Sequence, residues 1–497
     1  MPGILELPGR FPRLAAFAAG TTLPLAFAPF GWWWYAPLVT AAAAAFWLDT
    51  TPREAARNGF AFGAGAFLTG TYWLYISITI FGGAPAALSV FLMLGLVLIM
   101  GIYYGATGWL VARLTGGEAR HLLWALPVAW VLFEWLRGWV ASGFPWLSLG
   151  YSQTDGPLSG YLLLSGVYGT GLAVAAVAGA LVVVLRGRRW RIAAAVLLLA
   201  VPAAGAVLGR LSLTQPVGDP VRAALIQGAI TQDRKWLPEE RGPTLALYRR
   251  LTLAEADADI VVWPEVAVPA AQSQVADYLA GMDRVMESRD ADLLLGIMSY
   301  DDAADGYSNS VLQVGRGTGL YRKRHLVPFG EYFPVPDFVR EWMRLMSLPY
   351  TDTVAGPARP ALLEAGGQKL SLSICYEDAY GAEQLYALPA ATLLVNVSND
   401  AWFGDSIAPH QHLQIARTRS IEAGRWQLRA TNTGITAFID PRGAVHSRLP
   451  QFESGVLRAT VQPRTGLTPY AATGNWPVIL ICVTVIFGAI VRLRRRS

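Results

Sequence analysis

Ser371-Leu372-Ser373-Ile374-Cys375-Tyr376-Glu377-Asp378 is an apolar run that ends in a thiol followed by two acidic groups. Residues 371–374 read as a short buried strand, and a thiol just past a strand end can face a cleft. A lone cysteine in such a place is more often a small core residue, so its company decides the reading. Two other stretches supply that company. Glu265 follows the apolar run Ile260-Val261-Val262-Trp263-Pro264, and Lys323 stands in Tyr321-Arg322-Lys323-Arg324-His325, eight residues before Glu331. A cysteine, a carboxylate and an ammonium, each near a strand end, can act as nucleophile, base and oxyanion partner.

The chain around these stretches is unusually apolar. It has 497 residues, 53% of them hydrophobic, and a mean hydropathy of +0.36, which places much of it in a membrane and makes it too long for one domain. The net charge of +5 comes from arginines gathered in short clusters beside apolar runs. That placement fits membrane topology and argues against nucleic acid as a partner. The two cysteines, Cys375 and Cys482, are expected to be free, because the second lies in the apolar run of residues 476–490.

Seven apolar stretches precede residue 211: residues 14–30, 32–48, 60–81, 86–110, 122–139, 158–185 and 192–208. Each approaches or exceeds the ~20 residues that a spanning helix needs. The first two are separated by Pro29-Phe30-Gly31 and predict a hairpin. The first reads as a retained anchor, not a cleaved signal. Glycines between residues 63 and 70 allow helices to approach closely. Arginines mark alternate connections: Arg10 and Arg13, Arg53 and Arg57, Arg113 and Arg120, then Arg186, Arg188, Arg189 and Arg191. By the positive-inside rule the N-terminus is cytoplasmic and residues after 208 are outside. An eighth run, residues 476–490, followed by Arg492, Arg494, Arg495 and Arg496, returns the C-terminus to the cytoplasm.

The expected fold class is therefore a multi-domain membrane protein: an eight-helix transmembrane bundle carrying an extracytoplasmic α/β domain. Its domains are residues 1–212 with seven helices, 213–470 as the external domain, and 471–497 with the eighth helix and a basic tail. Aromatic residues at the outer span ends, Trp32 to Tyr35 and Trp135, Trp139, Phe144 and Trp146, read as an interfacial belt. Gly143 to Trp146 could alternatively dip toward a lipid headgroup. Glu134 and Arg137, about one helical turn apart, neutralise each other near the interface.

In the external domain, strands are expected at 222–227, 260–263, 292–297, 310–314, 370–375, 392–397, 427–431, 436–439 and 456–461, and helices at 238–255, 272–288 and 410–423. This alternation argues for a layered α/β domain with its site at strand ends. Residues 329–357, rich in aromatic and apolar groups, read as an arm lying on the membrane surface.

Trp263-Pro264-Glu265, Tyr321-Arg322-Lys323 and Ile374-Cys375-Tyr376-Glu377 resemble the carbon-nitrogen hydrolase (nitrilase) superfamily, which implies an αββα domain. With the spans and the blocks His325 to Tyr332, Asn399 to Ser406 and Pro409 to His412, the whole chain resembles the apolipoprotein N-acyltransferase family. The resemblance implies a general base at Glu265, a lysine at Lys323 and a nucleophile at Cys375. It places further functional positions at Glu331, Tyr376, Glu377 and Trp236. It also implies a bacterial inner-membrane enzyme with its catalytic domain in the periplasm. The acyl donor would be a membrane phospholipid, typically phosphatidylethanolamine, and the acceptor the free α-amine of a diacylglyceryl-cysteine in an apolipoprotein.

The chemistry can be argued from the residues as well. A free thiol is only a few percent ionised at neutral pH, so Glu265 is needed to take its proton, and burial among Trp263, Pro264 and Val266 would strengthen it as a base. Lys323 supplies a positive charge for the tetrahedral oxyanion, and Glu331 can orient that lysine. No cofactor is required. His410 and His412, two residues apart, lack a third ligand in a recognisable motif, so no metal site is expected, and they read as helix-capping or cleft-lining groups. Two other readings remain open on sequence alone: a membrane-tethered amidase that hydrolyses small amides with the same triad, and a transporter with a binding domain.

Overall fold

The computed structural model describes residues 11–187, 189–333 and 352–495. Arg10, Arg188, Arg496 and residues 334–351 of the expected apolar arm lie outside the described residues. The chain divides into two compact units, one comprising Met1–Ser212, Phe403–Thr418 and Thr468–Ser497, the other Leu213–Trp402 and Arg419–Leu467. The expected external domain is thus interrupted, because residues 403–418 pack with the apolar helices.

Four helices of the first unit are long and apolar enough to cross a membrane, among the described residues: Ala86–Thr115, Pro157–Arg186, Arg191–Leu208 and Trp476–Arg494. A fifth is obtained if Pro52–Gly70 and Trp73–Phe81, bent by 51° at their junction, form one span. Three of the eight expected spans are shorter than the sequence suggested. The first is a 10-residue helix, Pro12–Thr21, rising ~15 Å against a hydrocarbon core of ~30 Å. It stops because Pro24 and then Gly31, at φ 68°, turn the chain. Tyr35–Leu48 has 14 residues and Leu122–Arg137 has 16.

Small residues set the helix spacing. A Cβ on Gly59 would land on the Tyr104 carbonyl, and one on Gly65 on the carbonyl of Phe17, so Pro52–Gly70 touches both neighbouring helices backbone to backbone.

Glu134 and Arg137 are 3% and 1% exposed and, as expected, pair with each other, at 3.9 Å. Arg137 donates to the carbonyls of Phe144 and Trp146, each at 2.6 Å, and Glu134 accepts from the Leu149 amide at 2.9 Å and the Trp130 indole at 3.0 Å. The pair therefore clamps the loop after its own helix, satisfying backbone that has no helical partner. Trp146 is only 2% exposed and donates to Gln411 at 2.6 Å, which removes it from the expected belt. Trp32, Trp34 and Trp139 are exposed at 44%, 49% and 53%.

The second unit is built on two six-stranded sheets. One runs Gly455–Val461, Val221–Gln227, Ile260–Val262, Asp292–Asp301, Gly306–Gly315, Gly319–Arg322; the other Val445–Arg448, Ala437–Ile439, Gln427–Thr431, Leu393–Ser398, Gln368–Ile374, Leu363–Ala365. Each has three parallel strands at its centre and antiparallel edges. Period-two alternation explains the layers. On Val221–Gln227, residues Val221, Ala223 and Leu225 face a core shared with Leu370, Leu372, Ile374 and Val395 of the other sheet. Ala224 and Ile226 face outward, into a second core with Leu279, Met282 and Met286 of helix Ala276–Ser288. Burial on both faces is why these strands read as unbroken apolar runs. The short edge strands Gly319–Arg322, Leu363–Ala365 and Val445–Arg448 lack such runs and were not visible in the sequence.

Candidate active site

The functional candidates emerge where parallel strands end. Ile260–Val262 leads to Glu265, Gln368–Ile374 to Cys375, and Leu393–Ser398 to Asn399. Lys323 follows the edge strand Gly319–Arg322. At two of these ends the backbone takes a left-handed turn on a residue that is not glycine: Cys375 at φ 51° and Val266, directly after Glu265, at φ 45°. For a β-branched residue this is a true outlier, and such strain persists only where surrounding contacts impose it.

Those contacts are visible. Gly296 packs so tightly under the Glu265 turn that a Cβ there would meet the Pro264 carbonyl and the Val266 amide. On the other side, Glu377 is 1% exposed and gathers four donors. Its Oε2 accepts from the Ile374 amide at 2.6 Å and the Tyr321 hydroxyl at 2.9 Å, and its Oε1 from the amides of Arg324 at 2.6 Å and His325 at 3.2 Å. Glu377 therefore stitches the strand end bearing Cys375 to the one bearing Lys323. It does not face outward as a substrate contact would.

Glu265 and Lys323, both buried, form a compact group with the half-buried Glu331. Lys323 is 1% exposed; its Nζ donates to Glu331 Oε1 at 2.7 Å and lies 3.5 Å from Glu265 Oε1. Glu331 is fixed in turn by the Val327 amide, 2.8 Å from its Oε2. Glu265 Oε1 also accepts from Asn309 Nδ2 at 2.6 Å, and its Oε2 from the Asn399 amide at 2.7 Å. The expectation of an apolar jacket around Glu265 is thus corrected: polar donors meet the carboxylate itself. Burial alone would drive the Lys323 proton off, but Glu331, Glu265 and Cys375 together outweigh it and hold the ammonium's pKa above the usual range.

Cys375 feels Glu265 and Lys323 electrostatically. Burial, and then the negative charge of Glu265, push its thiol far above the ordinary range; Lys323 and the Ser398 hydroxyl pull the other way without reversing the shift. The resting sulfur is therefore a thiol that reacts only if something removes its proton. Beneath it, Ser398 donates to Asp400 Oδ1 at 2.8 Å, and Asp400 is paired at 3.1 Å with Arg429, a fully buried guanidinium.

Two of the expected positions stand apart from this group. Tyr376 follows the thiol but turns its hydroxyl to Tyr380, 3.0 Å away, with its ring edge-on to His325. Trp236 is 53% exposed, whereas its neighbour Lys235, 2% exposed, donates to the Glu265 carbonyl at 3.2 Å. His412 is buried within helix Ala408–Ala423, and no group of three or more metal-ligating side chains exists among the described residues.

Sequence reasoning missed Lys235, Asn309, Ser398, Asp400 and Arg429. A signal existed for Asn309: Tyr307-Ser308-Asn309-Ser310 is a polar run inside a buried strand, and such a run is rarely present without a partner to satisfy.

Comparison with known proteins accounts for both units. Residues 19–180 match the apolipoprotein N-acyltransferase N-terminal domain, and residues 222–470 match the carbon-nitrogen hydrolase domain. The chain is 41% identical to an apolipoprotein N-acyltransferase of Methylococcus capsulatus over 97% of each chain. It is 42% identical to one of Azotobacter vinelandii, covering 98% of this chain and 96% of that one. With that of Pseudomonas syringae it shares 40% identity, over 97% of this chain and 96% of the relative. A strand-end thiol beside a carboxylate and an ammonium, in a carbon-nitrogen hydrolase domain joined to apolar helices, is thus accompanied by near full-length identity, and the chain belongs to the apolipoprotein N-acyltransferase family.

Proposed function

We propose that this protein moves an acyl chain from a membrane phospholipid, through a thioester on Cys375, to the N-terminal amine of a diacylglyceryl-cysteine. Family membership carries the reaction class; the observation that carries its assignment to residues is the single group formed by Glu265, Lys323 and Glu331, of which Glu265 and Lys323 lie within electrostatic reach of the Cys375 thiol.

In the first half-reaction Glu265 takes the thiol proton as Sγ attacks the ester carbonyl. The tetrahedral oxygen becomes negative opposite Lys323, whose ammonium is worth about 3 kcal/mol at such a position. The ester C–O bond then breaks, the leaving lysophospholipid oxygen takes the proton from Glu265, and the thioester remains. In the second half the free amine attacks that thioester and loses its proton to Glu265; the C–S bond breaks and the sulfur recovers the proton. An ester has become an amide through a thioester, so the second half runs downhill, and two substrates that use one sulfur in turn give ping-pong kinetics.

The phosphatidylethanolamine donor, the eight spans with both termini cytoplasmic, the periplasmic catalytic domain of residues 213–470 and the flanking segments 1–212 and 471–497 belong to the same proposal. The orientation is supported by the alternating arginine clusters; four helices, or five with the bent pair, are long and apolar enough to cross among the described residues, and the remaining spans rest on the sequence pattern.

The test is transfer to a peptide. Purified full-length protein is incubated with phosphatidylethanolamine vesicles and a synthetic diacylated cysteinyl peptide with a free N-terminus. The proposal expects the peptide to gain one acyl mass at its amine, and an N-acetylated peptide to gain none. Release of free fatty acid with no peptide product would make the protein a hydrolase instead.

A further inference from the structure

Lys235 is a buried ammonium that the mechanism above leaves unused. The ion pairs at Glu265 and Glu331 are made by Lys323. Lys235, 2% exposed, has no carboxylate within ion-pair distance among the described residues; its Nζ donates to the main-chain carbonyl of Glu265 at 3.2 Å. Burying a charge without a counter-ion is costly, so its retention needs a return. Its surroundings suggest one. From the strand end in one sheet it faces Glu265, and from the other sheet Cys375; on its own loop Asp233 is exposed and Arg234 is tied to Glu240.

The charge balance is informative. At rest, Glu265 and Glu331 are offset by Lys323 and Lys235, and the enclosed group is neutral. When the thiol proton moves to Glu265 and the tetrahedral oxygen becomes negative, the sum is again zero. Without Lys235 the pocket would carry one excess negative charge at both stages, and a closed negative pocket resists ionising a thiol.

We propose that Lys235 is a positioning residue of the acyl-transfer site: it fixes the Glu265 turn through the main-chain carbonyl and supplies the second positive charge against which Cys375, and then the oxyanion, becomes negative. The inference rests on the acyl-transfer reading. It also carries its own signature. Burial pushes the Lys235 ammonium down to about 8, against the pull of Glu265 and Cys375. Its charge is therefore present below that pH and lost above it, whereas a role in packing alone would not depend on pH.

The experiment uses full-length wild type, Lys235→Met and Lys235→Arg, with intact-mass time courses of Cys375 between about pH 6 and pH 10. One arm follows alkylation by iodoacetamide, the other acylation from phosphatidylethanolamine vesicles. Lys235→Met is expected to react about tenfold more slowly than wild type at neutral pH, with the gap closing as the wild-type lysine loses its proton. Lys235→Arg should keep the neutral-pH rate and exceed wild type on the alkaline side. A wild-type to Lys235→Met ratio that is near one, or constant across pH, overturns the proposal. If thermal scans show Lys235→Met unfolded, the wild-type to Lys235→Arg comparison decides: divergence above about pH 8 supports the role, and parallel profiles overturn it. Should wild type take up no acyl mass at all, the acyl-transfer reading fails, while the alkylation arm still decides whether Lys235 supports the thiolate.

Discussion

The Asn309 side chain donates to Glu265 Oε1 at 2.6 Å, from the middle of the strand Gly306–Gly315. The same amide lies 3.3 Å from Glu331 Oε1, so one rigid strand residue sets the spacing of both carboxylates around Lys323. Asn309→Ala should free the Glu265 rotamer and slow Cys375 acylation about tenfold to a hundredfold, with the melting temperature nearly unchanged. Asn309→Asp should be slower still, because a third carboxylate then faces Glu265 and Glu331. Single-turnover acylation with a thermal scan of each variant checks both.

Glu265 raises the Cys375 pKa while also serving as the proposed acceptor of its proton. Glu265→Gln should therefore act in opposite directions on two readouts. Losing the negative neighbour moves the thiol's ionisation to lower pH, so the midpoint of iodoacetamide alkylation falls. Losing the base slows acylation, by about a hundredfold or more. A variant that is both alkylated and acylated more slowly than wild type would instead have lost its active-site geometry.

Glu377 fastens the Cys375 strand end to the Lys323 segment through four donors. Glu377→Ala leaves those donors and the nearby Arg324 without their carboxylate, and should destabilise the protein by about 3–5 kcal/mol. Glu377→Gln, which can accept with one oxygen, should lose less stability. Both should lower acylation. Denaturant melts of the purified protein, compared with Asn309→Ala, separate this effect from one confined to the chemistry.

Gly296 sits directly under the Glu265 turn. Gly296→Ala should displace Glu265, cost about 1–3 kcal/mol of stability and reduce acylation, although position 296 touches no substrate in the proposed mechanism. Wild-type rate and stability in Gly296→Ala, read by single-turnover acylation and a denaturant melt, would contradict this close fit.

The sequence carried the layered domain well because its central strands are buried on both faces and so read as apolar runs. Strand Gln427–Thr431 coincides with its expected bounds. Glu265, Lys323 and Cys375 were legible because each follows or ends such a run. What sequence could not show depended on contacts between distant segments. Lys235 and Glu265 are 30 positions apart, and nothing in Gln232 to Trp236 marks the lysine, not the tryptophan, as the buried one. The partners of Glu377 were hidden because three of its four donors come from residues 321, 324 and 325, more than fifty positions away. Among the helices, hydropathy marked the apolar stretches but not where Pro24, Gly31 or the Arg137 clamp would end them, which is why helices Pro12–Thr21, Tyr35–Leu48 and Leu122–Arg137 came out short.

The central claim is that the Cys375 sulfur carries the acyl chain between donor and acceptor. The most direct test is the intact mass of full-length wild type and Cys375→Ala after exposure to phosphatidylethanolamine vesicles without a peptide. The account predicts one added acyl chain on wild type, mapped to Cys375, released by hydroxylamine and discharged when a diacylated peptide is added, with none on Cys375→Ala. An unmodified wild type, or an adduct that persists in Cys375→Ala, would contradict it.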